Sequence, residues 1–316
     1  MARGDDVSFR LQWLRGHLDV LSGVPPPGDG RTGQRFLALS ELAGVDGSLA
    51  RLTEGHLDAL AIRGELGAGP PGADEIWAVW AAQPGLLTAE ARPGGWRLCG
   101  QKPWCSGANG VDRALVTATD HAGGARLFEV DATSFRFDDD WRAVGMRASD
   151  SRTGWLDVTV EAAAELGPVG GYVERPGFWH GGVGVAACWH GLAHRLATDL
   201  ARFAGHGDPY ARESAGRSAA SVASSGALLA AAARQIDELP DDVPRARRRA
   251  QLVRVAVAGS CQTVLDESVR AQGAGALCFD PAHSRAVTDL MVYLRQLHHG
   301  RDAAAVEVPV DDEWWS

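Results

Sequence analysis

Residues 95–108 decide the fold, and they read Gly95-Trp96-Arg97-Leu98-Cys99-Gly100-Gln101-Lys102-Pro103-Trp104-Cys105-Ser106-Gly107-Ala108. Trp96 and Leu98 occupy alternate positions in front of Gly100. Apolar residues at every second position, followed by a glycine, are typical of a strand that reaches a turn. The stretch therefore predicts a strand that enters a hairpin at Gly100.

The residues on either side continue this pattern. Ala114 to Ala118 and Arg126 to Val130 are strand-like and are joined by Gly123-Gly124, while Trp155 to Val160 alternates with period two. Short strands with glycine-rich turns and no helices between them indicate an antiparallel sheet. We expect this sheet, built as a barrel or a sandwich, to occupy a central β-domain at residues 74–170.

Helical patterns precede the β-domain. From Arg35 to Leu66 the apolar residues recur at helical spacing, and Asp46-Gly47-Ser48 separates two helices. Loops rich in proline or glycine lie on both sides, at residues 24–30 and 67–73. Residues 1–73 are therefore expected to form a small N-terminal helical region.

Helical patterns also follow the β-domain. The first long helix is predicted from Val183 to Phe203, after a loop at Arg175–Trp179. Asp208-Pro209 and Asp280-Pro281 each open a further helix, because Asp caps free amides and Pro suits the first turn. The predicted helices are 183–203, 208 to about 239, 244 to about 272, and 280 to about 299. Four long helices with short links predict a four-helix bundle at 171–305, followed by an acidic tail at 306–316.

Composition excludes several classes of protein. The net charge of the 316 residues is −9, which argues against nucleic-acid binding because phosphate contacts need a basic surface. Five widely spaced cysteines without a CxxC pair support neither a disulfide framework nor a zinc site, and they fit reduced thiols in a cytoplasm. No apolar run is long enough to span a membrane, and Met1–Arg10 lacks the apolar core of a signal peptide.

Several segments resemble the acyl-CoA dehydrogenase superfamily of flavoproteins. The 95–108 stretch is similar to the family hairpin "GWxLxGxKxWxTxG/A", and Trp141 with residues 145–149 is similar to its "W…GMRAS" segment. Gln272-Gly273-Ala274-Gly275 stands where the family has a glycine-rich turn, and Glu54-Gly55-His56-Leu57 resembles an N-terminal helix of related sequences. The resemblance identifies the chain as a shortened, divergent member with an α+β fold.

The resemblance implies a flavin, usually FAD, between the β-domain and the C-terminal helices. It places Trp104 against the flavin ring and the Ser106 hydroxyl near its N5 edge, where an aromatic face and a hydrogen-bonding group suit the cofactor. The alternatives are a core aromatic for Trp104 and a turn hydroxyl for Ser106. FMN in place of FAD, and a weakly bound or absent flavin, also stay open.

The resemblance also implies contacts to the cofactor's phosphates from a neighbouring subunit of a homodimer or homotetramer. Gly273 and Gly275 would let backbone amides approach the cofactor, and Arg212 or Arg217 would meet its phosphates. The alternatives are a plain helix end for the glycines and surface positions for the arginines.

Three departures from the family bear on function. The N-terminal helical region is small, which puts a long acyl-CoA substrate in doubt. The loop at Trp80–Thr88 lacks the acidic and Gly-Ser residues of the family's flavin loop. No carboxylate stands before Gly300, where the family often places its catalytic base. His298 or His299 is the candidate base, because imidazole titrates near neutral pH, although adjacent histidines also suit a helix end.

Two other motifs carry little weight. Residues 182–187 fit GxGxxA but neither follow a strand nor open a βαβ unit, so they indicate close helix packing. His190 and His194 share a helix face without an obvious third ligand, so no metal is expected.

The leading hypothesis is a flavin-dependent oxidoreductase acting on an acyl thioester or another small molecule. One alternative is a two-component monooxygenase supplied with reduced flavin by a separate reductase. A second is a degenerate family member that serves as a subunit or scaffold. Neither nucleic acid nor a membrane is an expected partner.

Overall fold

The structure, a computed structural model, describes residues 7–205, 208–297 and 299–306. Along this part of the chain, helices come first, a mixed sheet follows, and long helices close the order. Helix and sheet are thus segregated along the chain, as the α+β prediction requires.

Four helices precede the sheet: α1 Val7–Arg15, α2 Leu18–Ser22, α3 Thr32–Val45 and α4 Gly47–Glu65. Asp46 separates α3 from α4, as predicted. Its carboxylate accepts a hydrogen bond from the Leu49 amide at 2.8 Å, which caps the free amides at the start of α4. Arg10 of α1 donates to the same carboxylate at 3.0 Å and thereby joins α1 to this junction.

The strands are β1 Trp77–Trp80, β2 Leu87–Arg92, β3 Gly95–Cys105, β4 Arg113–Asp120, β5 Ala125–Asp131, β6 Arg136–Phe137, β7 Arg152–Glu161 and β8 Glu165–Leu166. They pair in the order β6-β7-β3-β2-β4-β5-β8, with β1 beside β4. This path is open, since β6 and β8 form its two ends. Closure into a barrel is not observed among the described strands.

Two details of the sheet differ from the sequence prediction. β3 does not turn at Gly100: it continues, and Gly100 pairs with Leu87 of β2 and Leu156 of β7. Glycine is needed there because a Cβ atom would lie 2.3 Å from the Leu86 carbonyl oxygen. The hairpin turn instead lies between β2 and β3, at Pro93-Gly94. The sheet is also not wholly antiparallel, because β1 and β2 both run parallel to β4.

The helices after the sheet are α5 Gly171–Glu174, α6 Pro176–Ala204, α7 Pro209–Glu238, α8 Val243–Phe279, α9 Pro281–Tyr293 and α10 His299–Ala304. The predicted loop at Arg175–Trp179 is wrong from residue 176 onward, since α6 begins at Pro176. The predicted caps are confirmed: Asp208 accepts from the Tyr210 amide, and Asp280 accepts from the Ala282 and His283 amides.

The long helices share one interior with the N-terminal helices. α6, α7 and α8 pack against one another, and α9 packs on α6 and α8. α3 also packs on α6, so closely that a Cβ atom at Gly191 would lie 2.0 Å from the Ser40 carbonyl oxygen. Because α3 shares this interior, a separate four-helix bundle stays a prediction. No described helix is long and apolar enough to cross a bilayer.

The GxGxxA motif lies inside α6, so it does not form the turn between a strand and a helix that a dinucleotide site requires. At Gly184 a Cβ atom would already stand in van der Waals contact with Leu39 of α3. The motif therefore serves helix packing, as its context in the sequence indicated.

Candidate functional site

Trp104 lies in a β-bulge near the end of β3. The pairing of β3 with β7 shifts between Lys102 and Cys105, where Pro103 has no amide hydrogen to donate. Trp104 adopts a φ of +65° and is 56% exposed. The indole of Trp141 meets its ring edge-on, with the ring centres 5.9 Å apart. The bulge thus turns a large aromatic side chain out of the sheet.

Ser106 lies two residues beyond Trp104 and is buried. Its Oγ lies 2.8 Å from Ser151 Oγ, and Ser151 Oγ lies 2.9 Å from Ser149 Oγ. Ser149 Oγ in turn donates to the Met146 carbonyl oxygen at 2.7 Å. We call Ser106, Ser151 and Ser149 the serine relay. It connects the end of the hairpin to the Gly145–Ser149 segment.

The loop at Trp80–Thr88 is hydrogen-bonded to the residues at the end of β3. The buried Trp80 indole donates to the Ser106 carbonyl oxygen at 3.0 Å. Residues 84–86 form a short 3-10 helix that leads into β2. The loop therefore reaches the hairpin even though it lacks the acidic and Gly-Ser residues of the family pattern.

The Gly145–Ser149 segment docks directly on α9. A Cβ atom at Gly145 would lie 1.9 Å from the Thr288 carbonyl oxygen, so only glycine fits this approach. The Met146 amide donates to the buried Asp289 carboxylate. The Trp141 indole donates to the Gly145 carbonyl oxygen at 3.3 Å. Through these contacts α9 positions Trp141, and through it the exposed Trp104 ring.

A buried charge cluster lies on α4. Arg51 forms an ion pair with Glu54, and Arg35 donates to Asp58 at 2.7 Å. Burial raises the pKa of Glu54 to about 7; Arg51 opposes this shift and Asp58 adds to it. A pKa raised in this direction is what a carboxyl group needs to act as an acid–base group near neutral pH.

The charge cluster borders the end of α9, at Tyr293. Buried Tyr293 packs edge-on against Trp189, whose indole N–H has no hydrogen-bond partner among the described residues. Arg254 lies over the same indole, 4.9 Å from the ring centre, and donates to the Gly182 carbonyl oxygen. Burial lowers the pKa of Arg254, while the charges of Asp302 and Glu54 oppose that shift. The charges of Glu54 and Asp302 thus act on one guanidinium.

The two predicted histidines cannot be placed. His298 and the side chain of His299 lie outside the described residues. α9 ends at Tyr293, earlier than predicted, and residues 294–296 form a 3-10 helix before α10 begins at His299. The catalytic role of either histidine stays a prediction.

The predicted phosphate contacts lie on α7 and α8, away from the elements that form the hairpin end. Arg212 and Arg217 are exposed, and Arg217 is paired with Glu213 at 2.7 Å. Gly273 has a φ of +64° and interrupts α8, while Gly275 is exposed two residues later. These positions are open to a neighbouring molecule, as contacts across a subunit boundary require.

His190 and His194 do not form a metal site with other residues. The His190 ring nitrogen Nδ1 hydrogen-bonds Ser225 Oγ at 2.8 Å. Within residues 7–205, 208–297 and 299–306, no group of three His, Cys, Asp or Glu side chains is placed to hold a metal ion.

Sequence patterns proposed Trp104 and Ser106 as site candidates but did not indicate the residues that contact them. Ser149 and Ser151 flank Asp150 in alternate positions, yet nothing in that spacing shows that they face Ser106. Arg51, Glu54 and Asp58 follow helical spacing, which was a readable signal for one polar face on an otherwise buried helix.

The residues around the bulge fit a flavin. The open face of Trp104 suits a flat apolar ring, and the Ser106 hydroxyl suits a polar ring edge. The Trp104–Trp141 contact and the serine relay hold these two features in place before any ligand binds.

Comparison with protein-family profiles and with curated protein sequences finds no match. Solved structures do match. Butyryl-CoA dehydrogenase from Megasphaera elsdenii superposes with a TM-score of 0.80 at 16% identity, covering 95% of this chain and 89% of that chain. TdsC from Paenibacillus sp. A11-2 is a dibenzothiophene monooxygenase solved with FMN and indole. It superposes with a TM-score of 0.78 at 18% identity, covering 95% of this chain and 88% of that chain.

XiaF from a Streptomyces species, solved with FADH2 and glycerol, gives a TM-score of 0.68 at 17% identity, covering 96% of this chain and 97% of that chain. Three proteins of such low identity establish a shared fold over nearly the whole described chain. The chain therefore has the acyl-CoA dehydrogenase-like fold, with a sequence only 16–18% identical to those of these three proteins.

Proposed function

We propose that the protein is a flavin-dependent oxidoreductase that acts on an acyl thioester or another small molecule. The observation that carries the proposal is the β-bulge that presents the exposed Trp104 ring beside the Ser106 hydroxyl. The fold supports this proposal, because the solved structures that share it include a dehydrogenase and proteins solved with FMN and FADH2.

In this proposal the chain's own residues bind and orient the cofactor. Trp104 covers one face of the flavin ring, and Trp141 fixes the angle of the indole. Ser106 meets the N5 edge, and the Trp80 indole holds the Ser106 backbone in place. The bound flavin supplies the two-electron acceptor that none of the protein side chains provides.

A proton must also leave or reach the substrate, and two sources are proposed. His298 or His299 is the first, from the segment where the family often places its base. Glu54 is the second, because it is buried on α4 and its pKa is raised to about 7, as an acid–base group near neutral pH requires.

Substitution separates the two sources. Glu54→Gln keeps the side-chain size and removes the titration. If Glu54 is the base, single-turnover flavin reduction slows by roughly 10²–10⁴-fold in this variant, while flavin affinity is kept. If a histidine is the base, the same loss appears in His298→Ala or His299→Ala. An unchanged rate in all three variants would exclude both sources.

FAD is the proposed cofactor, and a homodimer or homotetramer is the proposed assembly. Arg212 and Arg217, with the backbone at Gly273 and Gly275, would contact the phosphates of a cofactor held mainly by the neighbouring subunit. FMN lacks the adenylate half of FAD, so a comparison of the two flavins tests this part of the proposal.

The test of the function is the visible spectrum of the purified protein, before and after FAD is added and the excess removed. A bound flavin band is expected. Anaerobic addition of short, medium and aromatic acyl thioesters then bleaches the band if the protein is a dehydrogenase. Product that forms only with oxygen and a supply of reduced flavin indicates the monooxygenase alternative. A protein that binds neither oxidised nor reduced flavin contradicts the proposal and favours the scaffold alternative.

A further inference from the structure

The direction of the serine relay is fixed at its inner end. Ser149 Oγ donates its single hydrogen to the Met146 carbonyl oxygen, which only accepts. In the hydrogen bond between Ser149 and Ser151, Ser151 must therefore be the donor. The hydrogen of Ser151 is then used, so Ser106 donates the bond between Ser106 and Ser151. Ser106 presents only oxygen lone pairs to any further partner.

This direction matters for a flavin. N5 of an oxidised flavin is a hydrogen-bond acceptor, whereas N5 of a two-electron-reduced flavin carries a hydrogen and donates. We propose that the serine relay makes the site selective for the reduced flavin, because Ser106 accepts from N5–H and opposes the bare N5 atom. The inference rests on the proposed function, since it requires that Ser106 meet N5.

Reversing the relay costs hydrogen bonding in a buried place. To donate to an oxidised flavin, Ser106 must turn its hydrogen away from Ser151. Ser151 and Ser149 are only 5% and 1% exposed, so water does not readily replace the lost bond. The Trp80 indole on the Ser106 carbonyl oxygen also restrains the backbone from moving toward another arrangement.

The experiment compares the two oxidation states directly. Flavin-free protein is titrated anaerobically with oxidised FAD and with FAD reduced by dithionite, and both dissociation constants are measured. For the unmodified chain we expect about tenfold tighter binding of reduced FAD, the effect of one hydrogen bond. The midpoint potential of bound FAD then lies about 30 mV above that of free FAD.

Variants remote from the ligand distinguish the relay from ordinary packing. In Ser149→Ala, Ser151 loses its acceptor and is free to donate to Ser106, which releases the Ser106 hydrogen toward the ligand. The ratio of the dissociation constants for oxidised and reduced FAD then falls from about ten to about one. Ser151→Ala has the same effect, while Ser149→Thr keeps the hydroxyl and the preference. Ser218→Ala is the control, because Ser218 is a buried serine on α7 outside the relay.

The outcomes separate the two proposals. Equal affinity for both oxidation states in the unmodified chain, or a tenfold preference that survives both Ser149→Ala and Ser151→Ala, overturns the inference and leaves the flavin site standing. A chain that binds FAD in neither state overturns the proposed function together with the inference. Circular dichroism of each variant confirms that an altered ratio belongs to a folded protein.

Discussion

Trp104 holds a left-handed backbone conformation while most of its indole stays in solvent. A bulky residue with positive φ costs roughly 1–3 kcal/mol, and the edge-on contact with Trp141 returns roughly 0.5–1.5 kcal/mol. Folding alone therefore gives little reason for tryptophan at this position. Contact between the exposed indole and a ligand would explain why tryptophan occupies position 104.

Trp104→Gly tests this explanation. Glycine tolerates the positive φ, so we expect the free energy of unfolding to change by less than about 1 kcal/mol. Flavin affinity should fall about tenfold, since the ring that covers the cofactor is lost. The control is Trp80→Gly, at a fully buried indole, which should lower the free energy of unfolding by about 3–5 kcal/mol. Trp104→Gly with full flavin affinity would remove Trp104 from the site.

Asp289 makes stability depend on pH. Burial raises its pKa to about 6, although the Met146 amide works in the opposite direction. Asp46 adds to the shift, and Arg285 and Arg10 oppose it. The folded chain binds the Asp289 proton more tightly than the unfolded chain, so protonation of Asp289 stabilises the fold. This stabilisation is complete below about pH 4 and is lost as the pH rises through about 6.

Asp289→Asn removes that dependence. Asparagine still offers an oxygen to the Met146 amide but does not titrate. Relative to Asp289→Asn, the unmodified chain should lose about 2 kcal/mol of unfolding free energy between pH 4 and 6. Urea denaturation at pH 4, 5, 6 and 7 measures this. Parallel pH curves for the two proteins would show that Asp289 keeps an ordinary pKa.

At the residue level, sequence patterns identified Trp104 and Ser106 as site candidates because both belong to a recognisable hairpin. They did not identify Asp289, whose pKa is raised by burial and whose carboxylate accepts from a backbone amide 143 positions earlier in the chain. Contacts between residues so far apart in the sequence arise when helices and strands pack together, and the periodicity of one segment does not predict them.

Among the elements, the Gly145–Ser149 segment and α9 are the pair that positions the aromatic contact. A methyl group at Gly145 would overlap the Thr288 carbonyl oxygen, so Gly145→Ala should push the segment off α9. We expect a loss of about 1–3 kcal/mol in unfolding free energy, and weaker flavin binding because Trp141 moves with the segment.

Gly216→Ala provides the matched control. Gly216 lies within α7, and a Cβ atom there meets open space. Alanine should therefore raise the unfolding free energy by about 0.5–1 kcal/mol. Thermal or urea denaturation of both variants gives the comparison. Similar stability for the two alanine variants would mean that the segment accommodates the methyl group freely.

Element boundaries were predictable where a local signal exists. Asp208 and Asp280 each cap the helix that the sequence assigned to them, and Asp46, predicted to separate two helices, caps the second of them. The start of α6 was missed because residues 175–179 contain Pro and Gly, which also suit a first helical turn. Gly100 was taken for a turn, whereas it is needed for the close approach of β2.

For the whole molecule, the choice between FAD and FMN tests the predicted subunit contact. Arg212 is the better candidate because Glu213 already engages Arg217. Arg212→Ala should weaken FAD binding about tenfold through loss of a charge-assisted hydrogen bond and leave FMN binding unchanged. The control is Arg92→Ala, an exposed arginine on β2. Equal affinities of Arg212→Ala and the unmodified chain for FAD would contradict the contact.

The order of helices, sheet and helices was predictable from the sequence because each periodicity extends over many residues. Whether the sheet closes was not, since closure depends on strand tilt and stagger rather than on the pattern of any strand. The parallel pairing of β1 and β2 with β4 was hidden for the same reason.

The open path of the sheet ends in β6 and β8, each only two residues long. A long exposed end strand offers its free amides and carbonyls to a strand of another molecule, which is how fibrils begin. Here β6 and β8 are too short for this, but β6 covers β7 only at Gly154 and Trp155, so residues 156–161 of β7 have no strand partner on that side among the described strands. We therefore expect edge-to-edge pairing with another molecule to be limited to this stretch of β7, where the exposed charged side chains of Asp157 and Glu161 oppose it.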